Sequence, residues 1–269
     1  MVKRFEGKVA FITGAARGQG RAEAVKFASE GADIIALDAC VKFASTPYDG
    51  ATEEDLAETV RLVEEQGRKI VATKTDVRDF AAVSAALDAG VESLGRLDIV
   101  VANAGICSAA LSWEITPEQW QETIDVNLTG VFFTCKAAIP KLIEQGEGGS
   151  IVITSSVAGI KGVPFYGHYV ASKHGVAGLT KTMANELGEH RIRVNSVHPH
   201  GVTTGMIMTD MLPLLERYAE TLAPTFMAAI PDGFSDPEDV ANVVAFLSSS
   251  EARHITGVNM PIDLGNTIR

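Results

Sequence analysis

The sequence predicts an α/β fold, a doubly wound parallel sheet with helices on both faces, and three observations predict it. Short β-rich runs alternate with long helical patterns from end to end, the runs are almost uniformly apolar, and a glycine-rich turn joins the first run to the first helix. The runs are Val9 to Thr13, Asp33 to Leu37, Ile70 to Lys74, Leu97 to Ala102, Ser150 to Thr154 and Arg193 to Val197. Stretches such as Val-Ala-Phe-Ile and Ile-Val-Val-Ala lack the in-out alternation of a half-exposed strand, so burial on both faces is expected. Right-handed crossovers then give the doubly wound arrangement.

Helix starts are legible in two places. Thr116 reads as an N-cap with Pro117 in the first helical position and Gln119 in the third, a capping box with a favoured N-terminal proline. Asp236-Pro237-Glu238-Asp239 repeats the idea before a late helix ending near Ser249. Between Asp38 and Thr52 about fourteen residues show no periodicity, against ~2 to 6 for an ordinary βα loop, so 39–52 reads as an insertion. The stretch 204–235, rich in Met, Leu, Pro and Phe, is the second irregular segment, and short helices fit there. With no linker, repeat or charge block, one domain over 1–269 is expected.

Composition excludes several partners. A formal charge of −11 opposes a footprint on nucleic acid or anionic lipid, since both need clustered Lys and Arg. No run of about 18 apolar residues and no signal-peptide pattern is read before Gly14, so the cytoplasm is the expected compartment. Cys40, Cys107 and Cys135 form neither an even disulfide set nor a metal motif, and read as buried reduced thiols.

After the first strand comes Thr13-Gly14-Ala15-Ala16-Arg17-Gly18-Gln19-Gly20, leading into a helix. Glycines here let the backbone turn sharply, approach a pyrophosphate, and aim helix N-terminal N–H groups at its charge. No Gly-Lys-Ser/Thr follows, which disfavours a nucleoside-triphosphate loop. Asp38 ends the second strand where a carboxylate accepts from adenosine ribose hydroxyls and repels a 2′-phosphate. Arg17 pulls toward NADP, but a long Arg can point into solvent, so NAD is favoured. Asp76, before Val77, either receives the adenine amino group or caps a turn.

Further along, Asn103-Ala104-Gly105 follows the fourth strand, and with these ordered motifs the chain resembles the short-chain dehydrogenase/reductase family, with its Rossmann-type fold, along essentially its whole length. In that family the Asn-Ala-Gly segment packs beside the cofactor. Tyr169-Val-Ala-Ser-Lys173 puts a phenol and an ammonium on one helix face, where the cation favours the phenolate. Taken alone, the pair could equally be ordinary surface residues. The resemblance makes Tyr169 the acid/base, Lys173 its partner and a ligand of the nicotinamide ribose, and Ser156 the serine that bonds the substrate oxygen, preferred over Ser155 by register. It makes Asn127 the asparagine that holds a water relayed to the lysine. Pro199-His200-Gly201-Val202-Thr203-Thr204 resembles the stretch over the nicotinamide carboxamide, with Pro199, Gly201, Val202 and Thr204 as contacts. It departs from the pattern in placing His200 where the family has glycine, which implies either a substrate-side group or a structural histidine.

The insertion, together with Gly-Ala-Ala-Arg-Gly-Gln-Gly, Ser-Ser-Val-Ala-Gly and Val-His-Pro, is similar to a narrower group, the carveol dehydrogenase-like, mycofactocin-associated members. That resemblance implies NAD held under the insertion so firmly that it exchanges poorly, with electrons passed to mycofactocin. It also implies a hydrophobic secondary alcohol or ketone as substrate, and a homotetramer built through the Pro117 and Tyr169 helices. Met206, Met211, Leu212, Leu215 and Phe226, with Trp113 and Phe165, are expected to line an apolar pocket, or else to serve as core or subunit contacts. Two rivals stand beside this reading: an NADPH-dependent ketoreductase, which Arg17 supports and Asp38 opposes, and a non-catalytic dinucleotide-binding protein, which the complete Asn127, Ser156, Tyr169 and Lys173 set opposes.

Overall fold

The computed structural model describes residues 3–206, 209–231 and 233–269; Ile207, Met208 and Asp232 of the 204–235 segment, and Met1 and Val2 of the expected domain, lie outside the described residues. Seven parallel strands form one sheet: β1 Val9–Thr13, β2 Asp33–Asp38, β3 Ile70–Lys74, β4 Ile99–Ala102, β5 Gly149–Thr154, β6 Ile192–Pro199 and β7 Asn259–Ile262. Their order is β3-β2-β1-β4-β5-β6-β7, so the winding reverses between β1 and β4. A crevice at that reversal, beyond the strands' carboxyl ends, is where such sheets take ligands.

Among the described residues the α-helices are α1 Gly18–Ser29, α2 Glu53–Glu65, α3 Phe80–Leu94, α4 Pro117–Ile124, α5 Gly130–Gln145, α6 Gly167–Glu186, α7 Leu212–Arg217 and α8 Pro237–Ser248. Continuous apolar strands demand cover on both sides, and two core clusters supply it. Phe27, Ile34 and Val101 pack with Val240 and Val244 of α8 on one face, and Phe11, Ile35 and Val100 pack with Leu87, Leu142 and Val176 on the other. Both expected helix starts are present. The Gln119 N–H donates to the Thr116 hydroxyl at 3.2 Å, and the Asp236 N–H donates to the Asp239 carboxylate at 2.9 Å.

The six expected strands are joined by a seventh. Asn259-Met-Pro-Ile262 hides its strand character behind Pro261, which an edge strand tolerates because one side needs no ladder donor. The helix expected around Asn127 is interrupted: Asp125–Thr129 forms a π-helical turn, closed by the Gly130 N–H on the Asp125 carbonyl. Pro117–Gln145 as a whole is long and apolar enough to cross a membrane by length and composition, yet it packs here against α3, α6 and β4 as a core element. Cys40, Cys107 and Cys135 are buried and free, as expected.

One buried group works against the fold. Glu23 of α1 is fully buried, neither carboxylate oxygen has a hydrogen-bond partner among the described residues, and burial raises its pKa to about 8. A folded-state pKa above the unfolded value favours the native protein fully at pH below about 4.5, and this contribution is lost as pH rises through about 8. Glu23→Gln should therefore become the more stable protein as pH rises, the difference from wild type growing by on the order of 4 kcal/mol between pH 4 and pH 9. Urea unfolding of both proteins across that range checks it, and a pH-independent difference would contradict it.

Candidate active site

The cradle at the sheet reversal is shaped by close backbone approach. Gly14 has φ +68°, and a Cβ there would lie 2.8 Å from the Ala104 Cα; at Gly20 a Cβ would overlap the Gly14 carbonyl. The third glycine thus seats α1 against β1, and the Asn103 amide donates to the Thr13 and Gly14 carbonyls at 3.1 and 3.3 Å. Gly14, Arg17, Gly18, Gln19, Asp38, Asp76, Val77, Asn103, Ala104, Gly105 and Thr204 all border one cavity. Asp38 accepts from the Ala16 N–H at 3.0 Å and from the Cys40 N–H at 2.9 Å, and each oxygen keeps a lone pair for another donor. Asp76 accepts both the Arg78 N–H and a bidentate Arg78 guanidinium, so it caps its turn and borders the cavity as well.

The 39–52 insertion roofs this cavity. Val41, Phe43, Thr46, Tyr48 and Gly50 line it opposite the glycines. Tyr48 reaches the far wall, where its oxygen accepts from the Cys107 N–H at 3.0 Å. The Ser45 N–H donates to Glu122 of α4 at 2.9 Å, and the Arg78 guanidinium stands 5.0 Å over the Phe43 ring. Arg17, expected to point into solvent, instead donates to the Asp49 carbonyl of the insertion.

Beyond β5, α6 brings the reactive side chains together. The Ser156 side chain lies near enough to the Tyr169 phenol to favour its ionised form, and Lys173 Nζ lies 5.4 Å from the Tyr169 ring centre. Lys173 is buried and donates to the Thr154 carbonyl at 2.8 Å; burial lowers its pKa to about 8. Burial pushes the Tyr169 phenol up, with the Ser156 side chain acting in the opposite sense, so the chain's own residues hold the phenol protonated. The Ser155 hydroxyl donates to the Lys173 carbonyl at 3.0 Å and so ties β5 to α6, leaving Ser156 as the serine beside the phenol. Asn127 is fully buried with its amide clamped on the Ile106 backbone, accepting its N–H and donating to its carbonyl, both at 2.8 Å.

The family model described as enoyl-(acyl carrier protein) reductase matches residues 14–267. The chain is similar to a short-chain dehydrogenase from Mycobacterium paratuberculosis bound to NAD, 50% identical with a TM-score of 0.95, the match covering 99% of this chain and 100% of that one. The chain belongs to the short-chain dehydrogenase/reductase family. It is also similar to carveol dehydrogenase from Mycobacterium avium in complex with NAD, 49% identical over 99% of both chains with a TM-score of 0.93. A curated relative, (−)-trans-carveol dehydrogenase from Rhodococcus erythropolis, is 46% identical over 99% of both chains.

Within this short-chain dehydrogenase/reductase the stretch after β6 runs from the Ser156 side toward the cavity, which Thr204 borders. The Pro199 carbonyl faces the Ser156 hydroxyl at 3.4 Å, Gly201 lies under the Phe234 ring, and Val202 pairs with Ser235 while its side chain packs on the core. His200 keeps β6 in register, its N–H donating to the Ile262 carbonyl at 3.0 Å without a positive φ, so a side chain in the family's glycine place brings no strain. On the substrate side Phe165, Met211, Leu215 and Phe226 form one apolar cluster with Tyr166 and Tyr218. Trp113 and Leu212 are 77% and 60% exposed and lie outside it, and Met206 borders the dinucleotide cavity instead. Tyr48, Glu122, Arg78 and Ile106 were not singled out, because nothing local in an aperiodic loop or beside a strand marks a long-range partner. Gly20→Ala should lower Tm and cut dinucleotide affinity about 10- to 100-fold, from the ~1–3 kcal/mol of forced displacement between α1 and β1. A G20A protein with wild-type Tm and NAD content would contradict the close-approach account.

Proposed function

We propose that this protein is an NAD-dependent alcohol dehydrogenase that oxidises a hydrophobic secondary alcohol, carveol-like or another terpenoid or cyclic alcohol, to its ketone. The observation that carries this reading is the adjacency of the glycine-lined cavity and the Ser156, Tyr169 and Lys173 side chains, which meet at Gly105 beside Lys173 Nζ. The cavity fits NAD by its own chemistry: glycine backbone for the pyrophosphate, the open lone pairs of Asp38 for ribose hydroxyls, and the buried Gln19 Oε1 with no partner among the described residues. Arg17, bound to the Asp49 carbonyl, has its guanidinium committed to the insertion, which weakens the case for an NADP phosphate there. The relatives in complex with NAD and those that are carveol dehydrogenases support the same cofactor and substrate class.

In this mechanism the Tyr169 oxygen takes the hydroxyl proton of the alcohol as hydride leaves its carbon. NAD, when bound, supplies the hydride acceptor and a positive charge that favours the Tyr169 phenolate. Ser156 Oγ holds the substrate oxygen beside the phenol, which fixes the carbon to be oxidised. Lys173, with one N–H on Thr154, keeps two donors for the nicotinamide ribose and the relayed proton. Asn127, through its grip on Ile106, sets the wall beside Gly105, where a Cβ would lie 3.5 Å from Lys173 Nζ. Pro199, Gly201 and Val202, which follow on from the Ser156 side, would contact the nicotinamide carboxamide, and the apolar cluster of Phe165, Met211, Leu215 and Phe226 receives the substrate's hydrocarbon.

The same reading makes NAD a captive group under the insertion, reoxidised in place by an acceptor of the mycofactocin kind, within a cytoplasmic homotetramer. The Tyr48 strap and the exposed Trp120 and Phe132 of α4 and α5 support the captivity and the assembly. Tyr169→Phe should retain NAD binding while carveol oxidation falls about 10²- to 10⁴-fold, the usual worth of a placed proton acceptor. Retained turnover would sink the role given to Tyr169. Native mass spectrometry of purified protein should show a tetramer with one NAD per chain; fast multiple turnover on exchangeable NAD alone would rule out captivity.

A further inference from the structure

His198, on β6, is fully buried and touches neither the cavity nor Tyr169, yet it contacts the serine of the site through the main chain. Its Nδ1 lies 2.7 Å from the Ser156 carbonyl oxygen, and its Nε2 lies 2.8 Å from the Ser196 hydroxyl. The side chain of Asn259, on β7, stands 3.0 Å from that same hydroxyl oxygen. A carbonyl can only accept, so Nδ1 carries the proton and Nε2 of the neutral ring is an acceptor, and the single Ser196 hydroxyl proton goes either to Nε2 or to the Asn259 Oδ1. Burial lowers the His198 pKa to about 4, which keeps the ring neutral and this tautomer in place at neutral pH.

We propose that His198 is a positioning residue, whose Nδ1–H fixes the plane of the Ser156 peptide and thereby aims the Ser156 hydroxyl at the Tyr169 phenol. The Ser156 carbonyl already accepts from the Gly159 N–H at 2.8 Å, so the imidazole is not needed to save it from being unpaired. What the second bond adds is direction, since two donors on the two lone pairs hold the carbonyl from both sides. The hydroxyl leaves the same residue and has only soft restraints of its own: it accepts from the Ala158 N–H at 3.2 Å and faces the Pro199 carbonyl at 3.4 Å. Ser196 and Asn259 continue the support into β6 and β7, so the serine's orientation is referred to the rigid sheet rather than to the loop that carries it. Small displacements of a positioning group are costly because the reacting atoms must meet at near-contact distance.

The inference rests on the role given to Ser156 above, and two isosteric variants separate it from a structural role. His198→Asn keeps an amide N–H near the Nδ1 position, whereas His198→Gln reaches the Ser196 side and drops the bond to Ser156. Single-turnover reduction of bound NAD by carveol, followed by the absorbance of the reduced nicotinamide, gives the rate constant and the half-saturating carveol concentration. H198Q should lose about 10-fold or more in the rate constant with NAD content unchanged, and H198N should stay within about threefold of wild type. In a Ser156→Ala background the H198Q change should cost nothing further, since the group it aims is gone. Equal losses from H198Q with and without Ser156, or an H198N protein as impaired as H198Q, would overturn the inference alone. A Ser156→Ala protein with an undiminished rate constant would overturn the reading beneath it, and the inference with it.

Discussion

The backbone N–H groups of Ile106, Cys107, Ala109 and Ala110 each donate to a different part of the molecule, and that convergence organises the site. Ile106 is held by Asn127 of the π-helical turn, the Cys107 N–H by Tyr48 of the insertion, the Ala109 N–H by Asp210 of the 204–235 segment, and the Ala110 N–H by the Phe165 carbonyl before α6. The Ser108 hydroxyl adds the buried His168 of α6, 2.9 Å away. An irregular segment leaving a buried strand has no ladder partners, so its polar groups must be satisfied from outside. Here that requirement is met by five elements that would otherwise have no reason to sit at fixed distances from one another. Upstream, Asn103 ties the same segment to the glycine turn, so cofactor cradle and reactive side chains share one reference frame.

The electrostatics follow from the same burial. Removing Tyr169 and Lys173 from water disfavours both charged forms, so the phenol stays protonated while the lysine, lowered to about 8, is still largely an ammonium at neutral pH. Sequence spacing alone suggested that the lysine would pull the phenol's pKa down, because spacing fixes the face of the helix but says nothing of desolvation. The Lys173 ammonium is held by the Thr154 carbonyl with its nitrogen 5.4 Å from the Tyr169 ring centre, so Lys173 acts across a gap while the Ser156 side chain favours the ionised phenol.

The legible parts of the chain were those whose cause is local. The glycine turn, both capping boxes and the Tyr169 to Lys173 spacing each state their geometry within a few residues. The insertion was visible as an excess of length, but the strap that Tyr48 makes across the cavity was not, because its partner is 59 residues away in sequence. The Arg17 bond to the Asp49 carbonyl and the pairing of Val202 with Ser235 were hidden for the same reason, since neither partner is a neighbour in the chain. β7 stayed hidden because an edge strand needs neither a long apolar run nor freedom from proline.

How firmly the insertion can hold a ligand is set by how it is fastened. Its polar attachments include the Tyr48, Ser45 and Arg17 hydrogen bonds and the Arg78 contact with Phe43, beside the packing of Phe43 on Val77, Ile106 and Val126. At ~1 kcal/mol net for each hydrogen bond and ~0.5–1 kcal/mol for the cation over the ring, they sum to roughly 3–5 kcal/mol. That makes the open form rarer by about 10²- to 10⁴-fold, before any contact of the roof with a bound dinucleotide is counted. Arg17 sits at both ends of this balance, since it belongs to the glycine turn and grips the roof. The residue that resembled an NADP determinant in sequence therefore ties the glycine turn to the insertion, while Asp38 borders the same cavity with a lone pair left on each oxygen.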